Sequence, residues 1–543
     1  MEQPSEGVTQ HWPPGTMLLQ TDREHSKEIV LQPKPTNDPN DPLNWEPWRK
    51  YLNFALTCLY VLLVTEFLCA ATPTWGPMHE QLGFSWATLN NSYAIGCGFL
   101  GIGAVILTPL SLKFGRRPLY LISILVVFAV SIWSAKMQKP VDIMLVNVFS
   151  CSAGALSEVM IQMTIADVFF VHQRGVMNAI FIWTAQIGGS LGPLVAGFVT
   201  VSQGWRWVWW WNVIFLGVCL ALFGFLYEET KYIPPAGVAS VSSPESGVQQ
   251  EGKDADDKMT QTVRTRSLDE RGVSPPLGAT SNIPRKTYRE RLTLVTATPG
   301  EWSNFGRHFW LPFVMLATMP AILYSALSYG AQVAVQNTLS TTMSSHMTLP
   351  PYNFSSDQIG LMNMPQFIGV SIGSLIVGPL SDRFILYRAR QNKGIYEPET
   401  RLWLLLPFIP FVLGGALLYG IGIQKGLSWP VIAVGIGICS FGVAPINIVL
   451  LTYISDAYND IIGDAMVGVT FIRNCVSTAF IFALDPWFAS VGIQNVIISM
   501  SLIATFILSF AVVFLKWGKK FRGLTAERYQ RLTLLSNDQA ERT

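Results

Sequence analysis

The chain has little charge for its length. Only 13% of its 543 residues are Asp, Glu, Lys or Arg, whereas soluble domains carry about 25%. Half of the residues are hydrophobic. This balance excludes an ordinary water-soluble domain and predicts an integral membrane protein. The formal net charge of +2 also provides no strongly basic surface for nucleic acid.

Cysteine is scarce too, and its placement argues against two kinds of site. The seven cysteines lie in apolar segments, and none forms a Cys-x-x-Cys pair. Such spacing favours small packing residues over metal ligands or a disulfide framework. The chain also lacks a Gly-x-x-x-x-Gly-Lys-Ser/Thr sequence and any recognisable nucleophile constellation. We therefore predict no ATP-driven step, no cofactor, no metal and no enzymatic activity.

Long apolar stretches dominate the chain instead. Twelve of them are long enough to cross a bilayer, which takes about 20 helical residues. The fold class predicted is an all-α membrane protein with twelve transmembrane helices. The seventh stretch exceeds one crossing, so part of it is expected to lie outside the hydrocarbon. The predicted spans are 51–72, 88–111, 118–136, 142–166, 176–200, 207–228, 309–340, 357–380, 402–422, 429–453, 464–486 and 493–516.

Loop charge predicts the orientation. If the N-terminus is inside, Lys and Arg concentrate in the cytoplasmic loops and are few in the outer loops. Asn353 begins an Asn-Phe-Ser glycosylation sequence, and this orientation places it outside. We expect a multi-pass protein of the plasma membrane that is glycosylated at Asn353.

The polar segment 231–305 divides the spans six and six. It is rich in Ser, Gly, Pro and charged residues, so it cannot bury enough apolar surface to fold alone. We predict that it is a disordered cytoplasmic linker. The predicted regions are an N-terminal tail (1–50), a six-helix half (51–230), the linker (231–305), a second six-helix half (306–517) and a C-terminal tail (518–543).

Two short sequences recur at equivalent places in the halves. Residues 108–114 follow the second span and residues 378–384 follow the eighth, and five of the seven positions match in identity or charge. Likewise, Asp167 closes an Ile-x-Asp sequence in the fourth span and Asp456 closes one in the tenth. Two parallel six-span repeats predict a binding site near the midplane, between the halves.

The fifth span carries the glycine-rich run 186–197. Glycine costs about 1 kcal/mol and proline about 3 kcal/mol inside a helix relative to alanine, but in membranes small residues let helices approach closely. We predict a close-packed, bendable helix contact around Gly192 and Pro193. The spacing of Gly188, Gly192-Pro193 and Gly197 resembles the fifth-helix signature of antiporters in the major facilitator superfamily.

The loop after the second span strengthens this resemblance. Lys113-Phe-Gly-Arg-Arg-Pro resembles the end of the superfamily's loop motif, and the second copy retains its glycine and charged residues at 378–383. Segments 38–45 and 167–175 resemble fungal members of the twelve-span drug:proton antiporter family. The resemblance covers the whole chain apart from the tails and linker. It implies that the charged loops, which contain Gly115, Arg116, Arg117, Asp382 and Arg383, latch the two halves on the cytoplasmic side. Gly192 and Pro193 of the bendable fifth span are expected to take part in gating as well.

One departure from the family concerns the fourth span. Typical antiporters carry an arginine there, ahead of paired glycines, and it is thought to serve proton transfer. Residues 147–154 contain no arginine, which puts that route of proton coupling in question.

Three ionisable side chains stand out within predicted spans, because a charge near the bilayer centre costs about 2.5–3.5 kcal/mol. Glu66 lies in the outer half of the first span and is expected to bind a cationic substrate, a proton, or both in competition. Its structural alternative is a protonated carboxyl group hydrogen-bonded between helices. Glu158 is either a second protonation site or a polar residue near the water boundary. Arg473 either binds an anionic group of the substrate or pairs with an acid.

Further polar and aromatic side chains lie at a similar depth. Pockets for small molecules combine aromatic walls with a few placed polar groups. We therefore expect a substrate cavity formed by Glu66 and Arg473 together with Trp183, Gln186, Tyr324, Gln332 and Asn447.

Taken together, the residues and the resemblance imply a monomeric secondary active transporter that works by alternating access. Proton-coupled export of small organic molecules, such as drugs or secondary metabolites, is the favoured function. One alternative is a proton-coupled importer of amines or other organic cations, suggested by Glu66 and the missing arginine. Another is a transporter-derived nutrient sensor that signals through its linker.

Overall fold

The structure is a computed structural model that describes residues 13–18, 38–232, 285–294, 296, 302–392, 395–458 and 461–541. Within these residues the chain is helical, apart from irregular connections and one antiparallel strand pair, β1 (Met17–Leu18) with β2 (Ile395–Tyr396). Eleven helices among the described residues are long and apolar enough to cross a membrane, and the count is twelve if one bent helix pair is a further span. The predicted all-α fold with twelve spans is confirmed.

The N half contains the first six spans. The first continues past α1 into the short helix α2, and the fourth is interrupted at Ala155. Its helices are α1 (Pro47–Cys69), α2 (Trp75–Leu82), α3 (Trp86–Phe114), α4 (Arg116–Lys136), α5 (Pro140–Gly154), α6 (Leu156–Val168), α7 (Val171–Gln203) and α8 (Trp205–Leu226). The short helix α9 (Tyr288–Arg291) follows.

The C half contains the last six spans. The ninth begins with a 3₁₀ segment (Pro398–Leu404) that leads into α14. Its helices are α10 (Trp302–Thr318), α11 (Pro320–His346), α12 (Ser356–Leu361), α13 (Met364–Gln391), α14 (Ile409–Gln424), α15 (Trp429–Ala457), α16 (Ile462–Val491), α17 (Ile493–Ser509), α18 (Ala511–Leu524) and α19 (Ala526–Glu541).

The long seventh stretch is two helices rather than one. Helices α10 and α11 meet at Pro320 at an angle of 96°, because proline cannot donate the helical hydrogen bond and its ring blocks the preceding turn. Helix α10 then packs along the beginning of α16, where the ring of Phe313 meets that of Phe471 edge-on. Nearby, His308 Nδ1 lies 3.3 Å from Asp464 Oδ1.

The apolar packing follows the division into halves. One large cluster of buried side chains draws its members from residues 54–227, and the other draws them from residues 311–532. Each half therefore packs around its own core. Two smaller apolar clusters join the halves, one around Ala94, Ala334 and Ile481 and the other around Ala104, Ala155 and Val467.

The predicted linker lies largely outside the described residues, since 233–284, 295 and 297–301 are not among them. Its described part contacts the N half: the Tyr288 hydroxyl donates to the Phe225 carbonyl, and the Arg117 guanidinium donates to the Leu292 carbonyl. The predicted C-terminal tail begins inside a helix, because α18 continues to Leu524.

Asn353 offers a direct test of the topology. It lies in the exposed connection between α11 and α12 with a φ of 50°, a conformation that asparagine tolerates well. We expect glycosidase treatment to increase the gel mobility of the protein and Asn353→Gln to abolish that shift. A protease applied to intact cells that cleaves near residue 260 would overturn the topology.

Candidate substrate cavity and ion pairs

A cavity of about 320 Å³ lies between the two halves. Eight spans line it, four from each half, namely the first, second, fourth and fifth and the seventh, eighth, tenth and eleventh. Its described polar lining includes Tyr93, Asn147, Glu158, Gln162, Gln186, Tyr329, Gln336, Asn337, Asn363, Gln366, Asn447, Arg473 and Asn474.

Glu158 and Arg473 form an ion pair inside this cavity. The Arg473 guanidinium donates from Nη2 to Glu158 Oε2, and its central carbon lies 4.9 Å from the centre of the Tyr329 ring. The Arg473 side chain is 9% exposed and that of Glu158 is 28% exposed. Since Glu158 belongs to α6 and Arg473 to α16, the pair joins the N half to the C half.

Close helix packing brings Tyr329 to this pair. A Cβ atom on Gly330 would lie 3.1 Å from the Cα atom of Arg473, so α11 and α16 are in direct backbone contact there. The adjacent Tyr329 ring then lies against the guanidinium, where its π face attracts the cation. The structure thus joins two residues that the sequence singled out separately and adds a third that it missed.

Four of the predicted cavity residues do not line it. Glu66 is treated below. Trp183 is 48% exposed, on the outer surface of α7. The Tyr324 hydroxyl donates to the Leu508 carbonyl at 3.2 Å, with its ring packed in the C-half core. Gln332 is fully buried, and neither atom of its amide has a hydrogen-bond partner among the described residues. Gln186 and Asn447 do line the cavity, as expected, and so does Pro193, which was predicted only as a gating residue.

The error on α11 has a simple geometric origin. The residues of α11 that line the cavity follow helical spacing along one face: Tyr329, Val333, Gln336, Asn337 and Ser340. Tyr324 lies on the opposite face of the same helix, and Gln332 lies beside the lining face, where it is buried. Polar side chains occur on both faces, so periodicity alone does not identify the one that meets the other half.

Glu66 lies between helices of the N half rather than in the cavity. A Cβ atom on Gly192 would lie 2.7 Å from Glu66 Cγ, so α1 and α7 are in contact there. From α8, the Asn212 amide donates to Glu66 Oε1 at 3.3 Å. Glu66 Oε2 is buried without a partner among the described residues. The expectation that Glu66 lines the substrate cavity is therefore corrected.

The predicted gating loop is tied to its own half. Glu229, just after α8, accepts hydrogen bonds from the backbone N–H groups of Arg116 and Arg117, both at 2.9 Å. These groups begin α4, whose N-terminus favours an anion. Gly115 has a φ of 104°, and a Cβ atom there would lie 2.6 Å from Glu229 Oε2. Glycine is required here both for the conformation and for the space.

Lys231 completes this arrangement at the end of α3. Its ammonium group donates to the carbonyls of Leu112 (2.7 Å), Lys113 (3.0 Å) and Thr296 (3.1 Å). Burial, together with the nearby charge of Arg116, lowers the pKa of Lys231 to about 8. A cation at the C-terminal end of a helix satisfies its last carbonyls, so one short segment caps both helices of the loop.

The two halves contain equivalent ion pairs, in keeping with the internal sequence repeat. In the N half, Arg116 Nε lies 3.2 Å from Asp167 Oδ2, and in the C half Arg401 Nε lies 2.6 Å from Asp456 Oδ2. The two aspartates are the ones that the sequence comparison aligned. Of the predicted gating residues in the second copy, Arg383 is exposed, and the Asp382 side chain lies outside the described residues.

The halves also meet at the ends of the spans that the topology predicts to be outside. The Tyr93 hydroxyl donates to Asn337 Oδ1 at 3.3 Å, and the Asn90 amide donates to the Ile481 carbonyl at 3.2 Å. A Cβ atom on Gly360 would lie 2.9 Å from the Pro193 carbonyl oxygen. These contacts join the halves at one end of the cavity.

Two six-helix halves around a polar central cavity define a membrane transporter built from two repeats. Comparison with known proteins identifies its family. The Major Facilitator Superfamily model matches residues 98–349. The uncharacterized MFS-type transporter C1271.10c of Schizosaccharomyces pombe is 31% identical, over 95% of this chain and 94% of that protein. The chain therefore belongs to the major facilitator superfamily and resembles its fungal members.

Other relatives agree with this assignment. Protein HOL1 of Saccharomyces cerevisiae is 29% identical, over 93% of this chain and 92% of that protein. Efflux pump radE of Floropilus chiversii is 25% identical, over 87% of this chain and 81% of that protein. Among solved structures, the human organic anion transporter MFSD10 (TETRAN) matches with a TM-score of 0.55 at 15% identity, over 86% of this chain and 100% of that chain. That last similarity concerns the fold alone.

Proposed function

We propose that this protein couples proton movement to the export of a small organic solute by alternating access, with the solute bound in the cavity between the halves. The observation that carries the proposal is the Glu158–Arg473 pair, which joins the two halves inside that cavity. We further propose that it acts as a monomer in the plasma membrane, since one chain supplies both walls of the cavity.

The Glu158–Arg473 pair provides a physical means of coupling. In alternating access the halves rock against each other around a fixed site, and an ion pair between them opposes separation. A proton on Glu158 removes its charge and with it the attraction to Arg473. Arg473 retains its contact with Tyr329, and Glu158, the more exposed partner, is the one that a proton reaches from the cavity.

Export is favoured over import by two observations. The relatives include a protein named as an efflux pump, and the glycine-rich run in α7 resembles that of antiporters. The importer of organic cations was suggested partly by Glu66, which lies outside the cavity lining. Among the described lining residues, Glu158 is the one carboxylate that a cationic solute would meet.

Glu66 remains a second candidate for carrying the coupling proton. A buried carboxyl group in a membrane is costly unless it is paired, hydrogen-bonded or protonated, and one of its oxygens has no partner among the described residues. We expect Glu66→Gln to reduce gradient-driven transport at least about tenfold, which corresponds to about 1.4 kcal/mol, and to reduce solute exchange less. If Glu66→Gln transports with an unchanged rate and an unchanged pH dependence, Glu66 has only a structural role.

Transport by inside-out membrane vesicles with an imposed pH gradient tests the proposed function. Vesicles that contain the protein should accumulate solutes from a panel of amines and hydrophobic drugs when the lumen is acidic. Collapse of the gradient with a protonophore should abolish that accumulation. Accumulation that is insensitive to the protonophore would refute proton coupling. Absence of any protein-dependent movement across the panel would count against export of these solute classes.

A further inference from the structure

Four glutamine side chains face the cavity without any hydrogen-bond partner among the described residues. They come from four different spans, two in each half: Gln162 (α6), Gln186 (α7), Gln336 (α11) and Gln366 (α13). All four are half-buried. Each amide provides two N–H donors and a carbonyl oxygen with two lone pairs, so their hydrogen-bonding capacity is directed into the cavity.

Apart from Asn447, whose side-chain oxygen also has no partner among the described residues, the asparagines of the same cavity are bonded within the protein. The Asn147 amide donates to the Ile143 carbonyl at 3.0 Å, and the Asn474 amide donates to the Thr470 carbonyl at 2.9 Å. The Asn337 amide donates to the Ser477 hydroxyl at 2.8 Å. These side chains are engaged by the protein itself. The four glutamines, together with Asn447, are therefore the amide side chains that remain available to a bound solute.

The charges of the cavity are engaged as well. Glu158 and Arg473 are its two charged lining residues among those described, and they pair with each other. A solute therefore meets a cavity with no net charge and with unpaired amides on both walls. Tyr93, Phe181 and Tyr329 add aromatic surface, but apolar contact alone would leave the glutamines unpaired.

We propose that the transported solute is a polar organic molecule with several hydroxyl, amine or amide groups, and that these four glutamines bind it. This inference rests on the proposed function and narrows its substrate class, in contrast to apolar drugs. An apolar solute would displace water from the amides without replacing their hydrogen bonds, and a polar group left unpaired opposes binding. A solute bonded to glutamines of both halves would also hold the halves together around it.

Thermal unfolding of the purified full-length protein tests the proposal. The first set of probes is glucosamine, N-acetylglucosamine, arginine and glutamine, and the second is tetraphenylphosphonium and rhodamine 6G, which offer few or no hydrogen-bond donors. We expect at least one member of the first set to raise the Tm in a saturable manner. Gln336→Met and Gln366→Met retain side-chain length and should each raise the Kd of that probe at least about tenfold.

The matched control is Gln424→Met, at the exposed end of α14, which should leave the Kd unchanged. The inference is overturned if no probe of the first set binds, or if the Met variants bind it as tightly as the parent protein. A probe that binds through the glutamines but does not move in vesicles would instead refute the proposed transport and leave the binding site standing.

Discussion

Glu158→Gln is expected to reduce transport driven by a proton gradient at least tenfold. Glutamine preserves the size of the side chain but carries neither the charge that attracts Arg473 nor a titratable proton. If Glu158 is the coupling residue, the variant should still exchange solute between equal concentrations, and its residual transport should no longer depend on pH. Vesicle uptake with and without an imposed gradient measures both properties.

The Glu158–Arg473 pair should also contribute to the free energy of unfolding. Glu158→Leu leaves Arg473, whose side chain is 9% exposed, without its carboxylate, and removal of one partner from a buried pair costs about 3–5 kcal/mol. The double variant Glu158→Leu with Arg473→Leu should recover most of that loss without recovering coupled transport. If the two single substitutions have additive effects on the free energy of unfolding, the pair contributes no interaction energy. If Glu158→Gln retains the wild-type pH dependence of transport, Glu158 has no part in proton coupling.

Gly192→Leu is expected to abolish transport while the protein still reaches the membrane. A Cβ atom at this position would lie 2.7 Å from Glu66 Cγ and 3.1 Å from Glu66 Cα, so a leucine forces α7 away from α1. Overpacking of this kind costs about 1–3 kcal/mol, and it displaces the helix that presents Gln186 and Pro193 to the cavity. Membrane localisation and vesicle transport of the variant provide the test.

The matched control for this substitution is Gly414→Leu. Gly414 is exposed on α14, and a Cβ atom there would meet nothing within 4 Å. The same added side chain should therefore leave transport near its normal rate. If Gly192→Leu transports normally, close approach of α1 and α7 is not required for function.

The candidate site was predictable from the sequence only in part. Glu158 and Arg473 attract notice because charges are rare within membrane spans, and the pair confirms the alternative in which Arg473 meets an acid. Gln186 and Asn447 were also placed in the cavity correctly. Gln162, Gln336 and Gln366 were missed, since a lone glutamine in an apolar helix carries no signal of the direction in which it points.

Glu66 shows most clearly what the sequence could not predict. Its depth in the first span was apparent from the sequence, but depth does not specify the angle around the helix axis. The contacts with Gly192 and Asn212 result from the packing of α1 against α7 and α8. A single helix in lipid has no preferred apolar face to settle that angle, because lipid tails are as apolar as leucine.

By itself, the sequence determined the twelve spans, the two halves and the repeated Ile-x-Asp sequences, because bilayer thickness and helix rise act on each segment separately. Only the tertiary structure decided which faces of those helices meet. It paired Glu158 with Arg473 across 315 positions of chain, bent the seventh span by 96° and moved Tyr324 and Gln332 away from the cavity. Those features depend on the rotation of each helix against its neighbours, and that rotation is set by packing among many segments at once.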